Sequence, residues 1–278
     1  METYQKLQAG IHHARIGVTS RVPERLKYEL RRRLAHGETS GRQTNVTIDG
    51  TTGTFLIRNP SDKRRLVRDV EREFAGQLLA CIDPSKKRFL DIGSAQGLYS
   101  ILAAQKGAQV DAVDPDPVSY RSIRDNLTLN PDVAHSVHVL PIALGASRGR
   151  VKLHIDSHGS DAPSFAQTSE ALTETRRVRM RTVDGLIARH KIASPTVVKI
   201  DVEGAEGLVL RGMTTLLQSK DRPRHLFLEL HSPEFLEEFG TNQEEVLRQI
   251  HDMGYVAVEG DLISRDSEKQ YHFVPATK

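Results

Sequence analysis

Three stretches of the chain carry residue types at spacings that suit chemistry. The first is Phe89-Leu90-Asp91-Ile92-Gly93-Ser94-Ala95-Gln96-Gly97. It reads as a strand ending in an Asp, followed by a glycine-bracketed turn into a helix. Glycines let the backbone approach a ligand, and a helix N-terminus offers unpaired N–H groups. The pattern Asp-x-Gly-x-x-x-Gly departs from the dinucleotide fingerprint Gly-x-Gly-x-x-Gly, and it lacks the Lys-Ser/Thr of a phosphate-binding loop. An ordinary strand-to-helix connection is the competing reading. The second stretch, Ala108–Val113, ends in Asp114-Pro115-Asp116-Pro117. An acidic residue about 20 positions after the glycines can hold a ribose diol, and Asp114 stands there. Asp116 before Pro117 fits a helix N-cap instead. The third is Lys199-Ile200-Asp201-Val202-Glu203-Gly204-Ala205-Glu206. Alternation puts Lys199 and Asp201 on one face of a strand. A lysine in an apolar parallel strand needs a partner, which Asp201 or Glu229 of the next strand supplies. These charges either face a ligand at the strand's carboxyl end or form a structural ion pair, with Glu206 a helix-dipole carboxylate. Together the three stretches describe a site for a nucleoside-bearing ligand.

Such a site needs strands that end together. From Arg88 onward, short apolar runs alternate with helical segments: Phe89–Ile92, Ala108–Val113, Val137–Leu140, Thr196–Ile200 and His225–Leu230 read as strands. Helices are expected after Gly97, through Asn130, over Ala205–Leu217 and over Gln243–Met253. This alternation predicts a doubly wound α/β fold with a mostly parallel sheet. Tyr255–Glu259 and Tyr271–Val274 close it as a hairpin. An insertion between the third and fourth strands holds a strand pair, Arg150–Ile155 and Arg177–Arg181, around a polar stretch at Ser157–Ser169. Upstream, Asn45–Asp49 and Thr54–Ile57 flank Gly50–Gly53 as a β-hairpin. A helix follows, with Ser61 and Asp62 at its start and Pro84 at its end. The expected division is a basic helical extension with the hairpin over residues 1–60 and the main domain over 61–278.

The 278 residues are 38% apolar and 27% charged, which excludes fibrous and disordered classes. No run of 18 apolar residues suggests a membrane span. The polar first ten residues lack the apolar run of a secretory signal, so a cytoplasmic location is expected. The single cysteine, Cys81, excludes an internal disulfide. Nine basic and four acidic residues fall in the first 43, while the remaining chain is close to neutral at −2. Electrostatic attraction to a polyanion is therefore expected only from the first 43 residues. Leu26, Leu30 and Leu34 there make a stripe that could equally pack against a second copy of the chain.

The segment KIDVEGAEGLVLRGM (Lys199–Met213) resembles the signature of FkbM-type methyltransferases, S-adenosylmethionine-dependent enzymes that mostly methylate hydroxyls. FLDIGSAQGLYS resembles the first cofactor motif, with Ser94-Ala95-Gln96 where Ala-Asn-x is more usual. VDPDP, DNLTLN, LPIALG, RGRVKLHI, RVRMRTVDGLI and LFLELHS resemble later family segments in order. The likeness spans Ser61 to Ser232.

That resemblance implies a class I, Rossmann-like methyltransferase fold with seven strands, the last antiparallel. It implies that Asp91, Gly93, Ser94 and Gly97 surround the methionine end of S-adenosylmethionine. Asp114, beside Pro115, would take the ribose, and Pro141, Ile142 and Ala143 would line the adenine. The implied reaction is O-methylation of a small molecule or glycan. Loss of the hydroxyl proton calls for a base; Asp201, Glu203 and His231 are candidates, with Lys199 beside them. Asp201, Glu203 and Glu229 could hold a divalent cation, but no further ligands complete a shell, so no metal is assigned. Methylation of RNA through the basic arm, or of a protein or peptide, is the alternative; the small share of aromatics, 5% with no Trp, offers little for stacking bases. Nucleic acid is thus a possible but disfavoured partner, and a homodimer through the extension is a possible assembly.

Overall fold

The computed structural model describes residues 41–58, 62, 66, 72–83, 85, 88–156, 173–260, 263–265 and 268–277. The basic arm with its leucine stripe, Ser61, Pro84 and the 157–169 stretch lie outside the described residues.

Strands β1 (Arg42–Ile48) and β2 (Thr51–Ile57) form the expected hairpin, with Ile48 opposite Thr51. Helix α1 (Arg72–Ala80) leads to β3 (Arg88–Ile92), α2 (Leu98–Gln105), β4 (Gln109–Val113), α3 (Pro117–Thr128) and β5 (Val137–Leu140). A side sheet follows: β6 (Ala143–Leu144), β7 (Gly149–Asp156) and β8 (Thr173–Arg181). The chain returns through α4 (Val183–Ile187), β9 (Val197–Ile200), α5 (Glu206–Arg211), α6 (Thr214–Gln218), β10 (His225–Leu230), α7 (Pro233–Glu237) and α8 (Gln243–Asp252). It ends with β11 (Tyr255–Ala257), β12 (Ile263–Arg265) and β13 (Glu268–Pro275).

The main sheet runs β11-β13-β10-β9-β3-β4-β5, and the five strands from β10 to β5 are parallel. Strand β13 is antiparallel to both neighbours, which places the last strand inside the sheet edge rather than outside it. The short β12 pairs with β13 as an eighth strand that the apolar pattern does not announce. Strand β11 stops at Ala257, short of the Glu259 expected from sequence.

One apolar layer packs α1, α2 and the hairpin against the sheet, with Phe74 edge-on to Tyr99 at 6.4 Å and to Phe227 at 5.4 Å. The other packs α5, α6 and α8. Residues Gly41–Lys278 form one compact unit, so the division expected at residue 60 falls inside it. Two buried asparagines help to join the hairpin to this unit. Asn126 Oδ1 accepts from Leu56 N (2.9 Å) and its Nδ2 donates to Gln96 O (2.8 Å). Asn130 exchanges bonds with both backbone groups of Thr54 (3.0 and 2.7 Å). Asn126→Ala is expected to lower unfolding free energy by about 2–6 kcal/mol, because the part-buried Leu56 N and the buried Gln96 O lose partners worth about 1–3 kcal/mol each. A urea unfolding midpoint checks it.

The helix expected over Ala205–Leu217 is two helices. Asp184 accepts from Thr215 N and Leu216 N, both at 2.9 Å, and so caps α6 from a distant segment. Gly212 between them lies so close to Gly145 that an added Cβ would sit 2.1 Å from its carbonyl oxygen. Tertiary contact, not local propensity, breaks the helix.

Candidate active site

The carboxyl ends of β3, β4, β9 and β10 bring the three chemical stretches to one rim. Gly93 and Gly97 adopt φ of +86° and +87°, and Ala95 between them is also left-handed at +45°. A Cβ on Gly93 would lie 1.7 Å from Asp201 O, so the glycine turn is pressed directly against the end of β9. Asp114 is 8% exposed, and its carboxylate locks the turn: Oδ2 accepts from Ala95 N and Oδ1 from Asp116 N, both 2.9 Å. Asp116 caps α3 through Val118 N and Ser119 N. Asp91, fully buried, accepts from Ser100 Oγ at 2.6 Å. Burial raises its pKa against the opposing charge of Lys199. Ile142 is half-buried and Ala143 buried past the end of β5, while Pro141 is exposed; Pro115 is half-buried beside Asp114.

Ser94 Oγ, Gln96 Nε2 and Asp91 Oδ1 are buried without hydrogen-bond partners. Three orphaned polar atoms around one glycine turn are a costly arrangement unless a ligand meets them. No side chain caps the N-terminus of α2 above them. This donor and acceptor set fits a zwitterionic nucleoside ligand.

Lys199 is 1% exposed, and its Nζ donates to Asp201 Oδ2 at 2.8 Å and sits 4.6 Å from the Tyr99 ring centre. Burial works against its charge, but Asp201, Asp91 and Glu229 around it more than compensate and raise its pKa. Glu229 reaches it by field rather than by register: Phe227 is the β10 residue paired with Lys199, and Glu229 accepts from Gln270 Nε2 at 2.9 Å.

His231 is 2% exposed at the end of β10. Its Nδ1 is 2.7 Å from Glu206 Oε1, while Nε2 is 3.3 Å from Glu203 Oε2 and 3.8 Å from Asp201 Oδ1. Burial disfavours a charged ring, yet hydrogen bonds to Glu203 and Glu206 outweigh it and hold the pKa well above the usual 6.5. With carboxylate oxygens facing both ring nitrogens, the geometry supports His231 as the group that positions Glu203 and Asp201. Glu206, set aside in the sequence as a dipole carboxylate, is fully buried and also accepts from Gly204 N at 3.0 Å. Its partner stands 25 positions away, which no local spacing reveals. Glu203 holds a φ of +53°, a strained conformation that clusters at functional turns.

Because the folded pKa of His231 is raised, its proton favours folding fully below the unfolded value, and that stabilisation is lost as pH rises through the folded value. Urea midpoints of the wild type are expected to fall across that window, and those of His231→Gln to fall less.

Asp201, Glu203 and His231 present ligand atoms within 4.8 Å of one another and so could hold a metal ion; His231, rather than Glu229, is the third member. Cys81, His225 and His272 form a similar group near the opposite ends of the strands.

Residues 91–257 match the Methyltransferase FkbM domain. The chain belongs to the FkbM methyltransferase family. Over 188 residues it is 31% identical to the hexuronic acid methyltransferase AglP of Haloferax volcanii, spanning 66% of this chain and 73% of that one. The solved FkbM methyltransferase of Methylobacillus flagellatus is 18% identical with a TM-score of 0.47, covering 68% of this chain and 43% of that one. An rRNA methylase of Streptococcus thermophilus is 11% identical with a TM-score of 0.46, covering 76% and 99%. Membership makes this chain a methyltransferase, and the strand order described above is the class I arrangement. No helix among the described residues is long and apolar enough to cross a membrane.

Proposed function

We propose that this FkbM-family enzyme transfers a methyl group from S-adenosylmethionine to a sugar hydroxyl, with a hexuronic acid or a glycan containing it as acceptor class. The observation that carries this reading is the contact between Gly93 and Asp201, which places a nucleoside-type turn and a carboxylate cluster side by side. The 31% identity to a hexuronic acid methyltransferase supports the sugar.

The bound cofactor supplies an electrophilic methyl on a sulfonium. The protein's part is alignment and proton management, and alignment alone is worth about 7–11 kcal/mol of barrier. Asp91, Ser94, Gln96 and the first turn of α2 hold the amino-acid end; Asp114, with Pro115 beside it, takes the ribose, and Ile142 and Ala143 wall the base. Asp201 and Glu203, with side chains 26% and 24% exposed, are the cluster members an acceptor can reach. One of them accepts the hydroxyl proton as the oxygen attacks. Lys199 and His231 keep the two carboxylates close together against their mutual repulsion.

Transfer of radiolabelled methyl to glucuronic acid-containing oligosaccharides tests this. Label in an alkali-stable ether on the sugar is the expected product. Label appearing only as a carboxyl ester, or only on an amine acceptor, would overturn the reading.

A further inference from the structure

The near-neutral charge sum after residue 43 conceals a segregated cationic surface. In the β7–β8 pair, Arg150 stands directly opposite Arg179 and Lys152 directly opposite Arg177. All four are exposed. Directly opposed residues share a face, so the four form a rectangle about 5 Å across and about 7 Å along the strands. The other face is turned inward: Leu153 is buried, Val151, Val178 and Met180 are half-buried, and Met180 packs against Gly145. Like charges in direct cross-strand register oppose sheet formation. None of the four makes an ion pair among the described residues. Two repulsive pairs in succession on one ladder are an arrangement that an anionic ligand would relieve.

The ladder is tied to the end of β5. Strand β6 begins one residue after Ile142 at the end of β5, and it holds β8 through Ala143↔Met180 and Gly145 N→Arg181 O at 3.0 Å. The cationic ladder therefore starts beside Ile142 and Ala143, the residues proposed to wall the base.

We infer that Arg150, Lys152, Arg177 and Arg179 bind a run of carboxylates on an acidic glycan, holding units of the acceptor that flank the one being methylated. This rests on the sugar-acceptor reading above and extends it from a single hexuronic acid to a polyanionic chain. Guanidinium forks suit planar carboxylates. Strands β7 and β8 contain no Phe, Tyr or Trp, so the face lacks the stacking platform on which single-stranded nucleic acids depend.

The test uses the full chain and binding rather than turnover. Hexagalacturonate is the probe, with a neutral galactose oligomer of equal length and an oligouridine as comparisons, each at low and physiological salt. Selective, salt-sensitive binding of hexagalacturonate is expected. The double variant Arg177→Glu, Arg179→Glu should bind it at least about 10-fold more weakly, the equivalent of one lost charge-assisted hydrogen bond. Its unfolding midpoint should be unchanged or raised, since both repulsive pairs are removed. Equal affinity for the neutral oligomer, equal affinity in the double variant, or tighter binding of oligouridine would each overturn the inference. Calorimetry with S-adenosylmethionine on the same preparations separates the outcomes: cofactor binding without hexagalacturonate binding defeats this inference alone, and absence of cofactor binding defeats the methyl-transfer reading itself.

Discussion

Asp201→Asn is expected to lower kcat by about 10²–10⁴-fold, the usual worth of a positioned proton acceptor. The dissociation constant for S-adenosylmethionine should stay close to that of the wild type. Asparagine keeps the volume of the side chain and an oxygen for Lys199, whose Nζ lies 2.8 Å from the carboxylate. Asp91 and Glu229 remain to balance the buried ammonium, so the fold should survive. What disappears is the negative charge at the rim and the capacity to take a proton. Glu203→Gln removes the same capacity two positions further on, and comparing the two variants identifies which carboxylate receives the proton. Single-turnover kinetics alongside calorimetry separate chemistry from binding.

Asp114→Ala is expected to do the reverse, weakening cofactor binding by roughly 10–100-fold, in line with about 1.5–3 kcal/mol for a hydrogen bond to a charged group. The carboxylate has two duties. It accepts from Ala95 N and Asp116 N, which fixes the left-handed residue in the middle of the glycine turn. The second, proposed duty is to take the ribose hydroxyls. Asp114→Asn retains one acceptor oxygen and should lose less. At saturating cofactor, kcat should recover much of its wild-type value in both variants. If Asp201→Asn and Asp114→Ala lost cofactor affinity equally, the division of roles between the two ends of the rim would be wrong.

These two aspartates were legible in the sequence because each closes an apolar strand and precedes a turn. The parallel strands were legible for the same reason: buried on both faces, they read as unbroken apolar runs. What escaped was set by contacts distant in the chain. The break at Gly212 depends on Gly145 and Asp184, and a period-3.6 pattern runs through it undisturbed. Asn126 and Asn130 look like ordinary helix-end polar residues until the hairpin, about 70 positions upstream, is placed on them.

Glu206 and His231 show the same limit at the site. A glutamate in a first helical turn has a sufficient local explanation in the helix dipole. Only the meeting of β9 and β10 turns it into the partner of His231 that helps to raise the ring's pKa. The histidine then stands buried between three carboxylates. A sum over the residues after position 43 cannot register that four cations share one face of β7–β8.

The rim formed by Asp91, Gly93, Ser94, Gly97 and Asp114 is the proposed cofactor site. Titration calorimetry with S-adenosylmethionine and S-adenosylhomocysteine tests it most directly. One site per chain should bind both, and Asp114→Ala should weaken both together. A folded protein that binds neither would contradict the account.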